Sequence, residues 1–211
     1  MLRGCSFLKK LEKCDVNGLI KSSIEPHLAD NDKEMFYNYL NKSTIYFEYG
    51  SGGSTSQATN RKNIRKIYSV ESNYDYYIML KSKLGEIQKL VLIYNEMDSL
   101  PNTWGNPGPN STIEQRINYS NQILNVKHNK KIDLVLIDGR FRVACCLKCH
   151  SINNKCLILF DDFLDRVYYH IILNFYKIID KTEDNRMVVL SKIPNITVPN
   201  ELIKEYELDP R

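Results

Sequence analysis

Five short apolar runs, each ended by charged or polar residues, set the pattern of this chain: TIYFEY (44–49), KIYSVE (66–71), KLVLIY (89–94), IDLVLID (132–138) and KCLILFD (155–161). Apolarity within them is continuous rather than alternating. Both faces of each strand must therefore be covered, which is the signature of a parallel sheet between layers of helix. The stretches between them, 55–62, 74–84, 112–127 and 141–151, can each be helical. A preceding helix is expected over 32–40 (DKEMFYNYL), capped by Asp30 or Asn31, with Met35, Phe36, Tyr39 and Leu40 on one face. An amphipathic segment at 164–179 and a strand at 187–193 (MVVLSKI) follow, and the tail from Pro194 carries no further motif. The fold class expected is α/β: a Rossmann-like, doubly wound, mostly parallel sheet of about seven strands with helices on both faces. Residues 1–30 read as an N-terminal arm and 31–211 as a single domain, since no repeat or linker divides them.

At 211 residues the chain can bury a sizeable core as one domain. No apolar run approaches the roughly 20 residues needed to span a bilayer, and the first residues, MLRGCSFLKKLEKC, lack an apolar signal core. A cytoplasmic protein is expected. The six cysteines show no regular disulfide spacing, and four crowd between Cys145 and Cys156, so reduced thiols are expected. A formal net charge of +4, spread along the chain, gives no nucleic-acid footprint.

The first strand runs straight into GSGGST, with Gly50, Gly52 and Gly53 within four residues. A glycine-rich turn between the first strand and its helix is where doubly wound folds take nucleotide-like cofactors, because the bare backbone can approach the ligand. The dinucleotide fingerprint G-x-G-x-x-G does not fit, since Thr55 stands at the third position, and NAD is disfavoured. The second strand ends in Glu71, where a carboxylate can accept hydrogen bonds from both ribose hydroxyls.

Glu48-x-Gly50-x-Gly52-Gly53-Ser54-Thr55, then Glu71, then Asp138 closing the fourth strand, resembles the class I S-adenosylmethionine-dependent methyltransferases over residues 25–192. The resemblance implies that Glu48, Gly50, Ser51, Gly52, Gly53, Ser54 and Thr55 hold the methionine part of the cofactor. It further implies that Glu71 and Ser72 hold the ribose, and that Asp98, in NEMD, lies near the adenine.

IDGRFR (137–142) and FDDF (160–163) should lie side by side at the carboxyl edge of the sheet, bringing three carboxylates together. Like charges so close must take up protons or hold a cation, and oxygen ligands of this kind suit magnesium. Here the chain is similar to cation-dependent O-methyltransferases, which implies Asp138, Asp161 and Asp162 as metal ligands. Beside them, Arg140 and Arg142 can grip an anionic or polyhydroxyl substrate or pair with the aspartates. Arg166 and His170, four apart on an expected helix, would share a face, making His170 a candidate general base. Cys146-Leu-Lys-Cys149-His150 matches a haem-attachment pattern, but buried cysteines on a core-facing helix account for it better. The single tryptophan lies in the long loop LPNTWGNPGPN (100–110), over the expected mouth of the site.

The function expected is methyl transfer from S-adenosylmethionine to a hydroxyl of a sugar, glycan or other small polar acceptor, assisted by a divalent cation. The alternatives are an NAD-dependent sugar oxidoreductase or epimerase, an RNA ribose methyltransferase and a non-catalytic nucleotide-binding domain. Nucleic-acid N-methylation is disfavoured by IDGR in place of Asn/Asp-Pro-Pro-aromatic.

Overall fold

The computed structural model describes residues 24–101, 103–152 and 155–211. Most of the expected N-terminal arm, residues 1–23, lies outside the described residues. From residue 24 the chain leads into α1 (Asp30–Leu40) and then alternates: β1 (Ile45–Tyr49), α2 (Gly53–Thr59), β2 (Lys66–Glu71), α3 (Tyr74–Leu84), β3 (Leu90–Tyr94), α4 (Ile113–Asn125), β4 (Leu134–Ile137), α5 (Arg142–Cys149) and β5 (Leu157–Phe160). A 3-10 helix (Val167–Asn174), β6 (Tyr176–Lys181), β7 (Val188–Lys192) and α6 (Asn200–Tyr206) follow. The strands form one seven-stranded sheet in the order β3-β2-β1-β4-β5-β7-β6. β7 runs antiparallel to both its neighbours, and the other adjacent pairs are parallel.

Continuous apolarity serves two cores. Successive residues of a strand point to opposite faces, so Phe47 and Tyr49 enter one core with Ile123 of α4, Val135, Ile137 and Phe160. Tyr46 enters the other with Phe36 and Leu40 of α1, Ala58 of α2 and Leu136. Each such side chain is worth roughly 1.5–3 kcal/mol relative to exposure, which is what fixes helices against both faces.

Three local expectations differ from the structure. α1 starts at Asp30 behind an extended Ala29, so Asp30 acts in the first turn, where its charge suits the helix dipole, rather than as a cap. The segment 164–179, expected to be helical, divides into the 3-10 helix and β6. Adjacent β-branched residues, Ile178 and Ile179, favour an extended strand, and a bulge between Ile178 and Asp180 marks this edge of the sheet. The motif-poor tail forms α6, whose Leu202, Ile203 and Tyr206 pack on the core. Cys145, Cys146 and Cys149 lie buried on α5 as expected, and burial pushes their thiols up. No described helix is long and apolar enough to cross a membrane.

Candidate active site

The strand order reverses between β1 and β4, and ligands of open α/β sheets bind beyond the carboxyl ends at such a point. The loops leaving β1 and β4 touch there. Gly50 has φ 91°, and a Cβ on it would lie 2.9 Å from the Asp138 carbonyl oxygen and 3.0 Å from Gly139 Cα. Only glycine fits. The other two glycines of the turn have different reasons. Gly52 is extended, with φ 170°, and its added Cβ would stand 3.3 Å from the Tyr76 hydroxyl. At Gly53 a Cβ would strike the backbone of Glu25 and Pro26, which crosses the first turn of α2. That crossing is pinned by Ile24 N–H donating to Ser56 Oγ (3.0 Å) and Gln57 Nε2 to Glu25 Oε1 (2.9 Å).

Glu48 is fully buried beneath this turn. Its Oε2 accepts from Tyr46 (2.8 Å) and Ser54 Oγ (2.5 Å), whereas Oε1 has no partner. Burial pushes its carboxyl up, opposed by the surrounding hydroxyls of Ser54, Thr55, Ser69 and Tyr46. Thr55 Oγ1 accepts from Gly52 N–H (2.9 Å), and Ser51 Oγ lies 2.6 Å from Ser69 Oγ. Ser69, facing the turn from β2, was not signalled by any motif.

Glu71 ends β2 nearly buried, its Oε1 accepting from the N–H groups of Ser72 (2.8 Å) and Asn73 (2.7 Å). Burial raises its carboxyl to about 7, opposed by the N–H groups of Asn73, Ser72 and Ser51. Loop 99–110 rides above: Ser99 Oγ donates to the Ser72 carbonyl (3.2 Å), and Gly105 sits over the Ser72 hydroxyl. Asp98 closes the base of this loop, its Oδ2 accepting from Asn110 N–H (3.0 Å) against Gly108. Arg140 holds the tip, donating to the carbonyls of Trp104 (Nε, 3.0 Å) and Thr103 (Nη2, 3.0 Å) rather than to a carboxylate.

Asp138, Asp161 and Asp162 do converge, and they do so on arginine. Arg142 donates to Asp138 Oδ1 at 3.0 Å and to the Asp161 carbonyl at 2.7 Å, with Asp161 Oδ2 and Asp162 Oδ2 each at 3.6 Å. Asp162 is taken from its other side by Arg166 (2.6 Å) and Arg186 (2.7 Å). Burial, then the charges of Asp138 and Asp162, push the Asp161 carboxyl well above the usual carboxylate range, against the Arg142 charge. Guanidinium groups thus offset the repulsion for which a cation was expected. The donor set does not fit magnesium: a guanidinium stands among the three carboxylates, and no group of three or more His, Cys, Asp or Glu side chains among the described residues is placed to hold a metal ion. Arg186 also lies 3.6 Å from Asp32, a fully buried carboxylate whose oxygens lack hydrogen-bond partners.

Two non-glycine residues at this edge are left-handed, Phe141 (φ 52°) and Asp162 (φ 56°). Phe141 is the N-cap of α5 without a side-chain cap. Backbone oxygens of Pro210 and Arg211 take its N–H and that of Arg142 instead (3.3 and 3.0 Å), which the sequence around 141 does not announce. The expected pairing of Arg166 with His170 fails for a geometric reason. The segment is a 3-10 helix of about three residues per turn, so Arg166 meets Tyr169 (3.3 Å), while His170 packs on Phe163 with Nε2 unpartnered.

No protein-family model and no curated protein matches this chain. Among solved structures it is similar to a methyltransferase-like protein from Silicibacter pomeroyi DSS-3, with a TM-score of 0.77 and 24% identity over 89% of this chain and 98% of that one. It is also similar to the ribosomal protein L11 methylase from Lactobacillus delbrueckii subsp. bulgaricus, with a TM-score of 0.50 and 13% identity over 76% and 75% of the two chains. These likenesses establish the fold as the Rossmann-like methyltransferase fold.

Proposed function

We propose that this chain is an S-adenosylmethionine-dependent methyltransferase acting on a hydroxyl of a sugar or other small polar acceptor. The observation that carries the reading is the pairing of Glu71 with the turn at Gly50. A carboxylate fixed by two N–H groups at the end of β2 faces a turn whose backbone is bare by necessity. That combination suits a ribose diol beside a chain-like methionine group. The unpartnered Glu48 Oε1 fits the same cofactor, as a buried acceptor able to take an ammonium group directly or through water.

Bound there, the cofactor would supply a methyl on a sulfonium, whose C–S electron pair would stay on sulfur as the acceptor oxygen took the methyl and gave up its proton. Glu71 and Ser72 bind the ribose, and Ser51, Gly52 and Ser54 line the turn. Asp138, whose side chain is 31% exposed, is the carboxylate of the cluster placed to receive the proton. Partial burial raises its basicity against the charge of Arg142, which also holds it in one orientation.

Calorimetry with S-adenosylhomocysteine, with and without magnesium, tests this reading. Saturable binding that magnesium leaves unchanged is the expected result. Binding of NAD in its place would move the chain to the oxidoreductase reading. A magnesium requirement lost in Asp138→Ala would restore the cation-assisted form, with Arg142 displaced.

A further inference from the structure

Trp104, the only tryptophan in the chain, is 76% exposed, the most of any large apolar side chain described. Its backbone is left-handed (φ 56°) and is followed by Gly105 at φ 75°, a region that bulky residues rarely adopt. Neither the exposure nor the strain helps the fold. Yet the residue is firmly held. Arg140 grips its carbonyl and that of Thr103, the His27 ring lies 4.9 Å from the indole at 50°, and the loop is tied to Ser72 beside Glu71. A strained residue kept exposed by rigid support points to a ligand.

The surroundings select the ligand. Arg140 stands two residues beyond Asp138 in the turn after β4 and holds the Trp104 carbonyl, so the loop that carries the tryptophan is tied to the turn that carries a partly exposed carboxylate. An aromatic face beside a hydrogen-bond acceptor meets both sides of a sugar ring, its C–H face and its hydroxyl rim. A nucleic-acid strand would need cations for its phosphates, but the arginines at this edge are committed, Arg140 to carbonyls and Arg142, Arg166 and Arg186 to carboxylates. We infer that Trp104, backed by His27 and fixed by Arg140, is the platform on which a pyranose ring of the acceptor stacks beside Asp138. The inference rests on the methyl-transfer reading and names its acceptor class.

Emission from Trp104 reports on it directly. The full chain, saturated with S-adenosylhomocysteine, is titrated with the methyl α-glycosides of glucose, mannose and galactose, and in parallel with uridine monophosphate and a short oligouridylate. A saturable emission change with at least one glycoside and none with the nucleotides is expected, and calorimetry should show Trp104→Ala weakening that glycoside at least tenfold. No response to any glycoside, or a response to nucleotides alone, overturns the platform. Failure of S-adenosylhomocysteine to bind while the glycoside response persists would remove the methyl-transfer reading and leave the platform standing.

Discussion

Gly50 and Glu71 carry the proposed site, and each makes a prediction that separates it from its neighbours. A methyl group at Gly50 must adopt φ 91° and approach backbone rather than a movable side chain. Gly50→Ala is therefore expected to destabilise by about 2 kcal/mol or more, read as a lower urea midpoint. Gly52→Ala, extended and facing only the Tyr76 hydroxyl, should cost under about 1 kcal/mol. Glu71 has its carboxyl raised from 4.5 to about 7. Its stabilising contribution is complete below 4.5 and is lost as pH climbs through 7, about 3 kcal/mol in all. Glu71→Gln should flatten the decline in melting temperature between pH 5 and 8. Ribose hydroxyls favour the ionised form, so affinity for S-adenosylhomocysteine should rise with pH through the same range in the native chain and not in the variant. Glu71 and Gly50 were readable in the sequence because strand ends and glycine clusters are local features. Gly53 was not readable in the same sense, since its reason is the backbone of Glu25 and Pro26.

The turns after β4 and β5 behave as one electrostatic unit. Arg142→Met would leave the buried Asp161 and the partly exposed Asp138 without their shared partner, a loss of about 1–3 kcal/mol. Adding Asp138→Asn and Asp161→Asn to that variant should recover most of the loss, a non-additivity that chemical denaturation can measure. A triple variant as unstable as Arg142→Met would show that the guanidinium acts by packing instead. For loop 99–110, Arg140→Ala removes both hydrogen bonds at the tip. Amide exchange should accelerate across residues 100–106 and remain unchanged in β4. The convergence of the three carboxylates was legible from IDGR and FDDF at neighbouring strand ends. What balances them was not, because Arg166 and Arg186 arrive from the 3-10 helix and the β6–β7 turn.

Across the molecule, ligand binding and folding are linked. S-adenosylhomocysteine at 100 times its Kd should add about 2.7 kcal/mol of stability, visible as a raised Tm. EDTA should leave Tm unchanged, since Arg142, Arg166 and Arg186 already offset the charge at the β4–β5 edge. A fall in Tm with EDTA would sink that account.

The strands β1 to β5, the helices between them and the bare turn at Gly50 follow from periodicity and backbone sterics, which act over a few residues and so are written in short windows of the chain. Which charge meets Asp162, why Gly53 lacks a side chain, and how Trp104 comes to rest on His27 depend on residues tens of positions apart. Those partners are chosen by packing and burial, where a single guanidinium or a crossing backbone segment outweighs what the local pattern favours.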